Sequence, residues 1–214
     1  MKFTERVHKK YESQWERMLS HPFIEELSGG RLSDEIFDFW AMQDYIFVRE
    51  AIRFFSVLMA RFPRQYQKPF QQTLAGLEHE LQLFTDYASR RRIELDKVEP
   101  TPICHAYNSF LLASAYHEDV DANFVILYTA EKAYHEAWKK VRAGLKKGTP
   151  YEGFIENWAG EMFRQYVDWL EAELNSMTDG YPASRLAKLD EIFLLTVRYE
   201  YLFWEMAYNR LQWI

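Results

Sequence analysis

The chain has 214 residues, of which 48% are hydrophobic and 27% are charged, so it is long enough and apolar enough to bury a core. Its formal net charge of −6 argues against nucleic acid as the main partner, because phosphates attract basic surfaces. The single cysteine, Cys104, excludes an internal disulfide framework, and no apolar run is long enough to span a membrane. Since residues 1–10 lack the apolar part of a secretory signal, we expect a soluble, cytoplasmic protein.

Glycine and proline mark the breaks between long segments, at "HPF" (21–23), "SGG" (28–30), "EPTP" (99–102), "KKGTP" (146–150) and "TDGYPAS" (178–184). Between these breaks the apolar residues recur with the helical period, and no convincing alternating strand occurs. The pattern predicts helices at about 4–19, 33–62, 66–94, 102–116, 120–146, 151–177 and 184–212. Ser33 is a predicted N-cap. No linker or repeat interrupts the pattern, which predicts an all-α fold, a single-domain helical bundle over residues 1–214.

An acidic residue lies inside the most apolar of these segments, "YEYLFWEMAY" at 199–208. At about 100° per residue, Glu200 lies within about 60° of a set of mostly apolar side chains: Leu189, Phe193, Thr196, Phe203, Trp204 and Ala207. Glu200 is therefore predicted to be buried, where an unpaired carboxylate is costly.

Two more helices each carry a carboxylate on the apolar side. Asp44 lies at the centre of a stripe formed by Phe37, Trp40, Phe47, Val48, Ala51 and Phe55. Glu131 lies on a stripe formed by Phe124, Leu127, Tyr134 and Trp138. Each carboxylate could pair with an arginine or a backbone group, or the three could share a polar pocket. We favour the shared pocket, whose aromatic walls would suit a flat heterocycle with an exocyclic amine.

No metal site and no cofactor are predicted. Histidine follows or precedes glutamate directly in "HEL" (79–81) and "YHEAW" (134–138), which points the two side chains about 100° apart. A haem group would need an axial histidine, and the candidate, His8, is flanked by lysines and expected to be solvated. Cys104 is expected to be a small buried hydrophobe and not a nucleophile.

Several stretches together resemble the TenA/thiaminase II family. "HPFIEELSGGRLSDEIFDFWAMQDYIFV" (21–48) contains a His-Pro-Phe, a Gly-x-Leu before a helix, and a Gln-Asp followed by an aromatic run. "AEKAYHEAW" (130–138), "GEMFRQYVDWL" (160–170) and "YEYLFWEMAY" (199–208) resemble later blocks in the same order. The resemblance implies a haem-oxygenase-like bundle, often assembled as a homotetramer, that hydrolyses pyrimidine compounds of thiamin metabolism.

The resemblance also implies roles for individual residues. Asp44 would hydrogen-bond the amino group and a ring nitrogen of the pyrimidine, and Glu200 would donate and accept a proton at the ring. Tyr107 in "CHAYNSF" matches a pocket tyrosine, and Phe47 stands where the family often has tyrosine. The remaining expected substrate-binding residues are Tyr134, Trp158 and Phe203.

One departure from the family pattern concerns the nucleophile. The best-studied branch has a catalytic cysteine on the helix at 120–146, where this chain has Ala130 with Glu131 beside it. The chain therefore resembles the branch with glutamate in place of that cysteine, and Glu131 would be a general base or a carboxylate nucleophile. Trp158 stands where the cysteine branch has a pocket tyrosine. The alternatives are a non-catalytic pyrimidine-binding or regulatory protein, and an oxidase of the same fold acting on another small ring.

Overall fold

A computed structural model describes residues 1–145 and 149–214. These residues form ten α-helices and two short 3-10 turns, and no strand occurs among them, which confirms the all-α prediction. In chain order the helices are α1 (Phe3–Lys10), α2 (Glu12–Leu19), α3 (Pro22–Ser28), α4 (Asp34–Arg61), α5 (Gln67–Arg91), α6 (Pro102–His117), α7 (Val120–Gly144), α8 (Glu152–Ala159), α9 (Glu161–Met177) and α10 (Ala183–Asn209). The predicted break at 146–150 lies partly outside the described residues.

Two helices, α4 and α6, begin where the sequence predicts, and each has a side-chain acceptor for a free N–H group of its first turn. The Ser33 hydroxyl accepts a hydrogen bond from the Ile36 N–H at 3.4 Å, which confirms the predicted N-cap of α4. Thr101 caps α6 in the same way, with Pro102 at the first helical position, where its missing N–H costs nothing.

Two predicted helices are each interrupted, and one short helix was not predicted. The predicted helix 4–19 is interrupted at Tyr11 (φ −117°, ψ 27°), although no glycine or proline marks the break. The predicted helix 151–177 divides at Gly160, where a Cβ atom would lie 2.2 Å from the Glu156 carbonyl oxygen. The predicted break at "HPF" is confirmed, since α2 ends at Leu19, but α3, a helix that was not predicted, begins there at Pro22, where the His21 side chain accepts the Phe23 N–H at 3.1 Å.

Distances between Cα atoms divide the chain into two compact units. Unit 1 consists of Met1–Leu32 and Asp119–Trp204, and unit 2 consists of Ser33–Glu118 and Glu205–Ile214. The prediction of one domain over residues 1–214 stays a prediction. None of the described helices is long and apolar enough to cross a membrane.

Unit 1 is built around α7, which packs against α3, α8 and α9 and is buried continuously from Asp121 to Thr129. An ionic contact in the interior joins the first helix to the last. Asp190 of α10 is 2% exposed and accepts hydrogen bonds from both Arg6 and Lys10 of α1. Two cations thus compensate the desolvation of this carboxylate, so α1 is fixed to α10.

Unit 2 is built around α4, which packs against α5 and α6. The rings of Phe37 and Trp40 contact those of Tyr87 and Phe84 across the α4–α5 boundary. At the edge of this contact the Tyr87 hydroxyl donates to Asp38 at 2.7 Å. The aromatic contacts bury α4 along the side that carries Asp44.

We expect Leu189→Ala to lower the free energy of unfolding by about 2–5 kcal/mol, because Leu189 is fully buried in α10 and its loss leaves a cavity. Leu202→Ala, on the same helix at 38% exposure, should change it by about 0.5 kcal/mol or less. Urea denaturation followed by circular dichroism measures both. Equal losses in the two variants would contradict the burial pattern of α10.

Candidate active site

The carboxylate of unit 2 lies where the sequence predicts. Asp44 is fully buried near the middle of α4, and five residues of its predicted stripe are buried with it: Phe37, Trp40, Val48, Ala51 and Phe55. The sixth, Phe47, is half-buried. Phe47 lies one turn after Asp44 on the same side of α4, and its ring contacts that of Tyr107 on α6, with centroids 4.8 Å apart. Unit 2 therefore brings three predicted site residues, Asp44, Phe47 and Tyr107, to adjoining turns of α4 and α6.

The only cysteine of the chain lies in the first turn of α6 and is inert. Cys104 is fully buried, and its Sγ donates a weak hydrogen bond to the Gln43 carbonyl at 3.5 Å. Burial, and then the negative charge of Asp44, raise the pKa of the Cys104 thiol to about 12. A thiol with this pKa is protonated at neutral pH, so Cys104 is not a nucleophile, as the sequence predicts.

The two carboxylates of unit 1 differ in burial. Glu200 is 1% exposed, and the six residues of its predicted stripe on α10 are all buried: Leu189, Phe193, Thr196, Phe203, Trp204 and Ala207. Glu131 is half-buried, although the four residues of its stripe on α7 are buried. Glu131 is thus more accessible to water than its apolar stripe suggests.

Two sets of contacts connect α7 to α10 on either side of these carboxylates. On one side, the Nε2 atom of His8 lies 2.9 Å from the Tyr128 hydroxyl of α7, and its ring contacts Phe193 of α10 at 5.2 Å. On the other side, Tyr134 of α7 stacks on Trp204 of α10 with ring centroids 5.3 Å apart.

Glu131 lies between Tyr128 and Tyr134 along α7, and Glu200 lies between Phe193 and Trp204 along α10. The two contacts therefore bracket both carboxylates. Glu131 and Glu200 therefore lie on stretches of α7 and α10 that are joined through His8 of α1 at one end and by the Tyr134–Trp204 stack at the other.

Beside this stretch, Trp158 of α8 is part of an aromatic cluster. Its ring contacts those of Tyr134 at 5.5 Å, Trp138 at 5.1 Å and Phe154 at 5.7 Å. Phe203, next to the stacked Trp204, is 2% exposed. Unit 1 therefore brings together Tyr134 and Trp158, two of the predicted substrate-binding residues.

His135 is a residue near this cluster whose role the sequence does not reveal. Its Nδ1 lies 2.7 Å from the Trp158 carbonyl oxygen, and because a carbonyl only accepts, Nδ1 carries the proton. This carbonyl belongs to the last turn of α8, where carbonyl groups have no helical partner. Burial lowers the pKa of His135. A contact over 23 residues has no local sequence signal, and only the pairing of α7 with α8 reveals it.

The expectation that His8 is solvated is wrong. Its ring is half-buried against Trp15 and Phe193, and burial lowers the pKa of His8. Of the two lysines that follow His8, Lys9 is exposed and Lys10 donates to Asp190 of α10. Glu5 and His8 have the Glu-x-x-His spacing of some metal sites, but Glu5 is exposed and accepts the Lys2 N–H.

These groups suit the binding of a neutral, flat, nitrogen-containing ring. Carboxylates accept hydrogen bonds from ring N–H and amino groups, tyrosine offers a hydroxyl, and the aromatic faces offer stacking. Within either unit, the described residues contain no group of three His, Cys, Asp or Glu side chains arranged to bind a metal ion. Hydrolysis and proton transfer are the reactions that carboxylates support directly.

The chain is similar to known proteins both in sequence and in structure. The sequence model of the TENA/THI-4/PQQC family matches residues 8–210. A relative from Halalkalibacterium halodurans named aminopyrimidine aminohydrolase is 30% identical over 220 aligned residues, covering 100% of this chain and 98% of the relative. A crystal structure of a TenA homologue from Pyrococcus furiosus superposes with a TM-score of 0.91 at 34% identity, covering 96% of this chain and 100% of that one.

A more distant structure establishes the fold class alone. A domain from Shewanella denitrificans, described as having a heme oxygenase-like fold, superposes with a TM-score of 0.76 at 10% identity. The match covers 97% of this chain and 92% of that chain. The predicted haem-oxygenase-like architecture is thereby confirmed.

We expect Cys104 in the native protein to react with an aromatic disulfide reagent at pH 8 at least roughly 100-fold more slowly than in guanidinium chloride. A thiol whose pKa is about 12 is ionised in only about one molecule in ten thousand at that pH, whereas an ordinary thiol is about one quarter ionised. Because the chain has a single cysteine, the absorbance change reports this site alone. Rapid native labelling would contradict the burial of the thiol.

Proposed function

Because the chain belongs to the TENA/THI-4/PQQC family, whose model matches residues 8–210, we propose that it hydrolyses thiamin-related pyrimidines. The substrate is an aminopyrimidine or a formylaminopyrimidine, and the reaction leads toward hydroxymethylpyrimidine for thiamin salvage. Relatives named aminopyrimidine aminohydrolase, at 24–30% identity over nearly their full length, support this activity. The structural observation that carries the proposal is the bracketing of Glu131 and Glu200 by contacts between α7 and α10.

Hydrolysis of an aminomethylpyrimidine replaces its amino group by a hydroxyl. The carbon–nitrogen bond breaks, a carbon–oxygen bond forms with water, and the proton that water gives up is balanced by the proton that the leaving amine takes. The reaction needs one group that activates water or attacks carbon and a second group that supplies the proton. Two carboxylates on neighbouring helices can divide these tasks.

The family resemblance implies how the two groups divide these tasks, and their burial supports that division. Glu131 is half-buried and accessible to water, so it acts as general base or as nucleophile. Glu200 is fully buried and serves as proton donor and acceptor. Asp44 fixes the ring through its amino group and a ring nitrogen, and the faces of the ring contact aromatic residues: Phe47, Tyr107, Tyr134, Trp158 and Phe203.

The inertness of the only thiol supports Glu131 as the reactive group. Cys104 lies on α6, and its raised pKa of about 12 leaves it protonated. The position of the cysteine in the best-studied branch corresponds to Ala130, next to Glu131. Thiamin itself, from which a thiazole must be displaced, is therefore expected to be a poor substrate.

Assembly and compartment are part of the same proposal. The family resemblance supports a homotetramer that takes a small pyrimidine and no cofactor, and the single cysteine supports a cytoplasmic location. The net charge of −6 supports the expectation that nucleic acid and anionic membrane are not partners.

Incubation of the purified protein with aminomethylpyrimidine, formylaminomethylpyrimidine and thiamin tests the proposed function directly. We expect hydroxymethyl- or aminomethylpyrimidine from a degraded pyrimidine and little product from thiamin, measured by chromatography. Asp44→Asn should abolish most of the turnover, whereas Asp86→Asn, an exposed change on α5, should leave it intact. Binding of hydroxymethylpyrimidine without any turnover would identify a pyrimidine-binding protein, and oxygen consumption would identify an oxidase.

We expect Glu131→Gln to lower kcat by roughly 100-fold or more with little change in KM, because a general base or nucleophile acts mainly in the transition state. Asp44→Asn should impair both constants, because it binds the ring in the ground state and in the transition state. Glu191→Gln, an exposed substitution on α10, is the matched control. Full activity in Glu131→Gln would exclude the assigned role of Glu131.

A further inference from the structure

Gln43, which directly precedes Asp44, makes two hydrogen bonds to a distant segment. Its side chain is buried on α4, at 2% exposure. The Nε2 group donates to the Glu99 carbonyl at 3.0 Å, and Oε1 accepts the Thr101 N–H at 2.8 Å. One side chain thus binds an acceptor and a donor of the backbone just before α6.

The backbone of the bound segment, "EPTP" at 99–102, can form few hydrogen bonds within the segment itself. Pro100 and Pro102 have no N–H group, so Thr101 supplies the only N–H between them, and Thr101 is 3% exposed. A buried backbone group left without a partner costs about 1–3 kcal/mol. A carboxamide offers a donor and an acceptor side by side without a charge. Gln43 is therefore matched chemically to this segment.

The same contact fixes the beginning of α6 on α4. Thr101 is the N-cap of α6 and accepts the Cys104 N–H, and the Cys104 thiol in turn donates to the Gln43 carbonyl. Tyr107 lies three residues after Cys104, about 4.5 Å further along the helix axis. Phe47 lies four residues after Gln43, about 6 Å along α4. The 4.8 Å contact between Tyr107 and Phe47 follows from this register.

We propose that Gln43 is a positioning residue of the pyrimidine site: it holds α6 in the register that brings Tyr107 against Phe47, beside Asp44. This inference rests on the proposed function, since the ring contacts of Phe47 and Tyr107 belong to that proposal. Gln43 touches no substrate and acts through α6. Its replacement therefore weakens substrate binding and leaves the chemical step nearly unchanged.

Gln43→Met tests the role, because methionine keeps the length and volume of the side chain and removes both hydrogen bonds. We expect KM to rise about tenfold or more and kcat to stay within about threefold, the pattern of lost ground-state binding. The variant should fold, since the Trp213 Nε1–H also donates to the Pro100 carbonyl at 2.9 Å and retains the segment. Gln82→Met is the matched control, an exposed glutamine on α5 whose Nε2 donates to Asp86.

Gln43→Glu separates the hydrogen bonds from simple packing. A protonated glutamic acid can donate to the Glu99 carbonyl and accept from the Thr101 N–H, as the amide does, whereas the carboxylate places a negative oxygen against that carbonyl. Burial raises the pKa of such a carboxyl, so the KM of the variant, divided by that of the unmutated protein, should fall as pH decreases. The ionisable groups around this position are Asp44, Arg49 and Glu50 on α4, Glu99 in the segment and Cys104 on α6. They are present in both proteins, so the ratio reports the substituted residue.

Direct measurement of binding keeps the test independent of turnover. The Kd for hydroxymethylpyrimidine, measured by calorimetry, should rise in Gln43→Met as KM does, and hydrogen exchange in residues 99–107 should become faster.

If the unmutated protein binds the pyrimidine and does not turn over any substrate, the proposed reaction fails and the Kd values still decide the role of Gln43. If it neither binds nor reacts, both proposals fail. If KM and Kd are the same in Gln43→Met as in Gln82→Met, the positioning role alone is overturned. A KM ratio for Gln43→Glu that does not change with pH would also overturn the positioning role.

Discussion

The cost of removing carboxylates from water governs the arrangement of this protein. A buried carboxylate loses several kcal/mol of hydration, which the protein must replace by hydrogen bonds or opposite charge. Asp190 shows the ordinary solution, because Arg6 and Lys10 of α1 both bind it. Asp44 and Glu200 are buried as deeply, on helix faces made largely of aromatic rings. We propose that these two carboxylates bind the pyrimidine.

The aromatic residues do more than exclude water. The stack of Tyr134 on Trp204 and the contacts of His8 with Tyr128 and Phe193 fix the spacing of α7 and α10 above and below Glu131 and Glu200. Large rings in tight contact have few alternative packings, so the helices that carry the acids are held rigidly. A proton relay between a substrate and fixed carboxylates benefits from such rigidity, because the reacting groups need little reorganisation.

The features of the fold and of the candidate site that depend on residues close together in the sequence could be predicted from the sequence. The helical period placed Asp44 and Glu200 on buried faces, and Ser33 marked the start of α4. The local signal was ambiguous at Pro22, because proline can either end a helix or begin one, and Pro22 begins α3. The solvated environment expected for His8 was wrong because its ring packs against Trp15 and Phe193. The contacts of Gln43 with Thr101 and of His135 with Trp158 join residues 58 and 23 positions apart, and no periodicity within one helix contains that information.

The chemistry of the single thiol has a consequence for redox behaviour. Enzymes that attack with a cysteine thiolate lose activity when peroxide converts that thiolate to a sulfenic acid, and the low pKa that makes the cysteine reactive also makes it easy to oxidise. Here the only sulfhydryl is buried and protonated, with a pKa of about 12. The groups proposed to react are carboxylates, which peroxide does not oxidise. A pyrimidine hydrolase of this design would keep its reacting groups intact under oxidative stress.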